Sequence, residues 1–99
     1  MTRVRLAPVG ILGLGHCVPD QIVSNSQLEA RVDTSDQWIR SRTGICERRI
    51  APDGLCSSDL GFTAAQQALE QARLSPEEIE LIIVATLTPD SPMPSGLNL

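Results

Sequence analysis

The sequence predicts an α/β fold, and three stretches carry that prediction. Leu81-Ile82-Ile83-Val84-Ala85, leading through Thr86 to Leu87, is an apolar run without alternation, the pattern of a strand covered on both faces. Ser57 to about Arg73 is the longest helical segment, with Leu60, Ala64, Ala65, Ala68, Leu69 and Ala72 recurring at helical spacing. Nearly all of that face is small, so the helix can approach a neighbour closely, as in a layer buried between sheets. Val9 to Val18 is apolar and glycine-rich and ends at Pro19-Asp20, which reads as a strand closed by a turn.

Within the first strand, Gly13-Leu14-Gly15 has the opening of a dinucleotide-binding fingerprint. The third glycine would fall at Val18, and Pro19-Asp20 stands where a helix should open, so that reading is rejected. The glycines fit close backbone approach or a bulge instead. His16 and Cys17 are adjacent and face opposite sides of a strand. They are read as packing and turn residues, not as a dyad.

Ser24 and Gln27 have capping-box spacing at the start of a short helix running to about Val32. Thr34 and Gln37 repeat that spacing for a second helix of about two turns, Ser35 to roughly Arg42. Asp36 lies in its first turn, where negative charge suits the helix end, and Gly44 is its left-handed terminator. Ile45 to Ala51 reads as a strand with a polar middle, Glu47-Arg48-Arg49, before a turn at Pro52-Asp53-Gly54. Ser57 or Ser58 caps the long helix. Ser75-Pro76-Glu77-Glu78 opens one more turn before Glu80, and Thr88 to Pro94 is a proline-rich loop. A strand covered on both faces needs two layers, whereas this chain supplies roughly three strands and one substantial helix. Ending at Ser95-Gly96-Leu97-Asn98-Leu99, the sequence reads as cut rather than finished.

Composition narrows the class. Ninety-nine residues make at most one small domain, which buries a small share of its surface. Apolar residues are 41% but aromatics only 2%, so any core is built of Leu, Ile, Val and Ala. A net charge of −4 argues against nucleic-acid binding, which wants a basic surface. Cys17, Cys46 and Cys56 show no Cys-x-x-Cys spacing and there is one histidine, so neither a disulfide framework nor a zinc site is expected. Arg3 and Arg5 precede an apolar stretch, but proline, glycines and His16 interrupt it and no cleavage site follows. No stretch approaches the length of a membrane span. The expectation is a soluble cytoplasmic protein, with no membrane or nucleic-acid partner.

Chemistry concentrates in Asp33 to Arg49, which holds the only tryptophan and four of the eight arginines. Trp38 and Arg42 are four apart and share a helix face. An indole and a guanidinium side by side can stack on a planar ring, and the guanidinium can also pair with a phosphate. A nucleotide-bearing ligand such as coenzyme A offers both.

Asp33-Thr34-Ser35-Asp36-Gln37-Trp38-Ile39, then Arg42-Thr43-Gly44-Ile45 and Glu47-Arg48-Arg49, resembles the amino-terminal signature of β-ketoacyl-acyl carrier protein synthase III. The match is long and ungapped and extends weakly over nearly the whole chain. That family condenses acetyl-CoA with malonyl-acyl carrier protein to initiate fatty-acid synthesis. The resemblance implies the thiolase fold, a five-layered αβαβα structure of two similar halves working as a homodimer. Residues 1–99 would be a partial amino-terminal domain, stopping before the nucleophile region. The family's nucleophilic cysteine lies beyond the loop represented by Thr88 to Pro94, and its histidine and asparagine come much later. No residue here is therefore assigned a catalytic role, and Cys17, Cys46 and Cys56 are read as small buried or half-buried thiols.

After Pro94-Ser95 the family continues with small residues, and Gly96-Leu97-Asn98-Leu99 departs from that. What the resemblance carries over is the adenine end of coenzyme A, with Trp38 stacking on one side, Arg42 on the other and Thr34 in contact. Acetyl-CoA is then a substrate; no separate cofactor or metal is implied. Arg40, Arg48 and Arg49 fit either steering of an acidic carrier protein or a solvated charged surface. Three functions stay open at this point: part of a condensing enzyme, a small coenzyme A-binding module, or a non-catalytic partner of an intact condensing enzyme.

Overall fold

The computed structural model describes residues 5–91. Pro94, Ser95–Leu99 and Arg3 lie outside the described residues. The organising unit is an antiparallel ribbon of β1 (Gln21–Ser24) and β2 (Glu47–Ile50), with Gln21 opposite Ile50 and Ser24 opposite Glu47. Between them the chain makes α1 (Asn25–Glu29) and α2 (Asp36–Thr43). β2 falls inside the stretch read as a strand. β1 does not appear in the sequence reading, because only Gln21-Ile22-Val23 separates the Pro19-Asp20 turn from the Ser24 cap. That is too short to show a period.

The helix starts follow side-chain chemistry, with two shifts from expectation. Ser24 and Gln27 form the expected box: the Ser24 amide donates to Gln27 Oε1 at 2.8 Å and the Gln27 amide to Ser24 Oγ at 3.3 Å. α1 stops before Val32, because the amides of Arg31 and Val32 both return to the Leu28 carbonyl at 2.9 and 3.0 Å. The cap of α2 is Ser35 rather than Thr34, its hydroxyl accepting from the Trp38 amide at 3.1 Å. The whole helix is displaced by one residue as a result. Gly44 closes it at φ 74°, the left-handed terminator expected there.

α3 (Ser57–Ala72) is capped by Cys56, not by Ser57 or Ser58. The Cys56 amide donates to Asp59 Oδ2 at 2.7 Å. The two serines serve another purpose. Ser57 Oγ donates to the Thr88 carbonyl at 2.7 Å and the Ser58 amide to Asp90 Oδ1 at 3.1 Å, tying the late loop to the start of α3. Pro76–Glu78 is the expected single turn, of 3-10 type.

Residues 5–19 run past α3 without pairing to a strand among the described residues. Here the small face of α3 is used as its composition predicts. A Cβ on Gly13 would collide with the Ala68 carbonyl oxygen, and one on Gly15 with that of Ala64. Only glycine permits this approach. The amides of Leu14 and His16 then reach Gln71 Oε1 at 2.7 Å and Gln67 Oε1 at 3.2 Å.

The strands expected at Val9–Val18 and Leu81–Leu87 are not formed. A strand exists only with a partner, and neither run finds one among the described residues. Leu81, Ile83 and Leu87 are exposed, Leu87 completely. Among the described residues the buried set is Val23, Ile39 and one polar residue, Asn25. A radius of gyration of 18.6 Å, against about 13 Å for a compact domain of 100 residues, agrees with a chain whose apolar runs lack cover.

Candidate functional site

α2 carries Trp38 and Arg42, with Thr34 just ahead of its cap, and polar ties hold it at both ends. At its start Glu29 Oε1 accepts from the Asp36 amide at 2.6 Å, and Ser35 caps the Trp38 amide. The Asp36 carboxylate accepts from Asn25 Nδ2 at 2.8 Å and from Arg40 Nε at 2.9 Å. The Asn25 amide bond, then the Arg40 guanidinium, hold the Asp36 carboxyl below its ordinary value. Asp36 in turn raises Arg40. At the far end Thr43 Oγ1 donates to the Ile39 carbonyl at 2.8 Å and accepts from the Ile45 amide at 3.0 Å.

Between these ends the helix buries Ile39 and leaves Trp38 56% exposed. Trp38 borders a cleft of about 350 Å³ that Asp33, Thr34 and Ser35 also line. The Arg42 guanidinium carbon lies 5.7 Å from the centre of the Trp38 ring, within cation–π range. Trp38 and Arg42 are neighbours on one helix face, as their spacing predicts, and Thr34 shares a cleft with Trp38. The aromatic face and the positive charge are offered together. Thr34 is half-buried and belongs to the wall of the cleft rather than to the cap.

The three flanking arginines are engaged. Arg40 pairs with Asp36, Arg48 donates to the Val23 carbonyl at 3.1 Å and Asn25 Oδ1 at 2.7 Å, and Arg49 donates to the Pro19 carbonyl at 2.9 Å. Arg48 and Arg49 thus brace the ribbon. A larger cleft, about 520 Å³, lies between Cys17–Gln21, Pro52, Leu55 and the first turns of α3. It contains none of the residues predicted for ligand contact. All three cysteines are free thiols; Cys17 is half-buried as expected, whereas Cys46 and Cys56 are exposed, and no metal-holding cluster occurs among the described residues.

The sequence reading passed over Asn25 and Ser35. Ser35 was masked by Thr34, which competes for the same cap. Asn25 had a weak signal: an amide side chain at the first helical position, just past a serine that already satisfies the cap, is surplus to capping.

No family profile matches the chain. Curated relatives do. A β-ketoacyl-acyl-carrier-protein synthase III of Symbiobacterium thermophilum is 55% identical over 92 residues, covering 93% of this chain and 28% of the relative. Synthase III 3 of Streptomyces coelicolor is 53% identical over 95 residues, 96% of this chain and 27% of the relative. The crystal structure of 3-oxoacyl-acyl-carrier-protein synthase III from Aquifex aeolicus VF5 superposes with a TM-score of 0.76 at 50% identity, covering 86% of this chain and 27% of that one. The chain spans a little over a quarter of the length of the relatives it matches. No helix among the described residues is long and apolar enough to cross a membrane. With its α/β elements superposing on a thiolase-fold synthase at this identity, the chain matches the amino-terminal part of β-ketoacyl-acyl carrier protein synthase III.

Proposed function

We propose that this segment forms the nucleotide end of the acyl-CoA site in a β-ketoacyl-acyl carrier protein synthase III, a cytoplasmic homodimer that condenses acetyl-CoA with malonyl-acyl carrier protein. The observation that carries the reading is the exposed Trp38 indole with the Arg42 guanidinium 5.7 Å from its ring centre. Adenine entering beside the indole would replace the guanidinium on that face, and the guanidinium would then flank the base or meet a phosphate. Thr34, on the wall of the adjoining cleft, supplies a hydroxyl that can both donate and accept. Residues 1–99 act in this reading as a partial domain, binding the handle of the substrate while bond making takes place elsewhere in the enzyme.

A contact remote from the reacting carbonyl binds ground and transition states about equally. Loss of an aromatic partner costs about 0.5–1.5 kcal/mol beyond buried area, which is several-fold to about tenfold in affinity. In a complete synthase carrying this segment, Trp38→Ala raises KM for acetyl-CoA by that factor and largely preserves kcat. A short acetyl thioester without the nucleotide is nearly indifferent to the change. Equal harm to both substrates, with the fold intact, would remove the adenine assignment.

Condensation also needs a thiolate to carry the acyl group and donors for the developing oxyanion. Neither is assigned to this chain. Purified 99-residue protein, freed of host enzyme, is expected to give no turnover of acetyl-CoA and malonyl-acyl carrier protein above a protein-free control. Measurable turnover would place the chemistry inside this segment.

A further inference from the structure

Asn25 is the one buried polar residue among the described residues, 1% exposed. Its side chain bridges the two ends of a helix it does not belong to. Nδ2 donates to Asp36 Oδ1 at 2.8 Å, at the first residue of α2, and to the Ile45 carbonyl at 2.8 Å, just past the Gly44 terminator. Its own amide donates to the Cys46 carbonyl at 3.1 Å. Oδ1 accepts from Arg48 at 2.7 Å, and the same guanidinium is anchored on the Val23 carbonyl of β1. Every polar atom of the amide is used, which a buried amide requires.

We infer that Asn25 is a positioning residue for the ligand site: its amide clamps both ends of α2 to the β1–β2 ribbon and so fixes where Trp38 and Arg42 stand. The link to ligand affinity rests on the adenine reading above; the clamp itself does not. α2 has only eight residues, too few to be stable without tertiary support. It buries Ile39 and lies against α1, and the Asn25 amide adds directional ties at its two ends. An unclamped α2 samples several orientations, and affinity falls by the fraction of time spent in the competent one.

The test uses the 99-residue chain, in which Trp38 is the sole tryptophan and no tyrosine occurs, so fluorescence reports α2 alone. Time-resolved anisotropy measures how freely the indole moves, and quenching by added coenzyme A measures affinity. Asn25→Ala is expected to enlarge the fast depolarising component and to raise Kd for coenzyme A about tenfold, a tenth of the chains then holding the competent pose. Protection of the Leu14 and His16 amides against α3 should stay unchanged. Asn25→Asp sets two carboxylates against each other and should behave no better. Adding Asp36→Asn to it puts a donor back between the two positions, keeps an acceptor for Arg48, and should recover part of both losses.

Unchanged anisotropy and Kd in Asn25→Ala, or no recovery in the exchanged pair, would overturn the clamp. So would wild-type Trp38 depolarising as freely as in an unstructured peptide. If Asn25→Ala also loses the α3 signal, Asn25→Asp against the exchanged pair decides by the same readouts. A wild-type chain silent to coenzyme A strikes down the adenine reading alone, and anisotropy then decides the clamp.

Discussion

Residues 21–50 and residues 81–87 have opposite fates in the same chain. The first segment is polar in its middle and buries little, yet its hydrogen-bonding groups close on one another: Ser24 with Gln27, Ser35 with Trp38, Asn25 with Asp36, Ile45 and Arg48. The second is the most apolar run in the sequence, and it lies exposed without a ladder partner among the described residues. Apolar character alone does not make a strand. Directional partners within reach make local structure, whereas an apolar run needs cover that must come from elsewhere.

The largest expected effect comes from this contrast. In the 99-residue protein, amides across Leu81–Leu87 should exchange near the unstructured rate, while those of Val23 and Ser24 in the ribbon are measurably protected. The uncovered run should also drive association. A monomer by light scattering, with a cooperative thermal transition and slow exchange across Leu81–Leu87, would erase the distinction between the two regions.

An intermediate case is the contact of residues 13–16 with α3, which is apolar on the helix side but secured by two glutamine side chains. Gly15→Val places a branched side chain against the Ala64 carbonyl. Overpacking of this kind costs about 1–3 kcal/mol. The expected outcome is loss of protection at Leu14 and His16 with the helix signal of α3 retained. If both amides stay protected, the close approach is not what holds this segment.

The same contrast explains what could be read from the sequence. The small face of α3, the Ser24 box, Gly44 as terminator and the pairing of Trp38 with Arg42 were legible because each depends on residues within a turn or two. The cap of α2 was misplaced by one residue because Thr34 and Ser35 are adjacent hydroxyl residues and both are candidates for the cap; Ser35 takes the Trp38 amide, and Glu29 satisfies the Asp36 amide beside it. β1 was invisible because it exists only through pairing with β2, some twenty-five residues away in register. Asn25 was passed over, since nothing local reveals that an amide serves Asp36, Ile45 and Arg48 at once.

The smallest expected effect tests whether the polar region depends on one ionised group. Asp36 is held below its ordinary value first by the Asn25 amide and then by Arg40, so folding favours its charged form. A carboxyl lowered on folding lends stability that is present above its unfolded-state value and lost as pH falls through its folded value. Acidification from neutral pH should therefore leave α2 unaffected until the solution passes below the ordinary carboxylate range. Only there do protonation of Asp36, loss of the Arg40 pair and loss of a favourable charge at the helix start coincide. Trp38 anisotropy followed against pH should show a late acid step, and Asp36→Asn should flatten that step with the neutral-pH value already shifted toward the wild-type acid plateau. Asp90, lowered mainly by Ser58, titrates in the same region of pH but at the start of α3. Asp90→Asn should leave the Trp38 step in place. A step that survives Asp36→Asn, or disappears with Asp90→Asn, would show that the acid sensitivity of α2 enters through a different group.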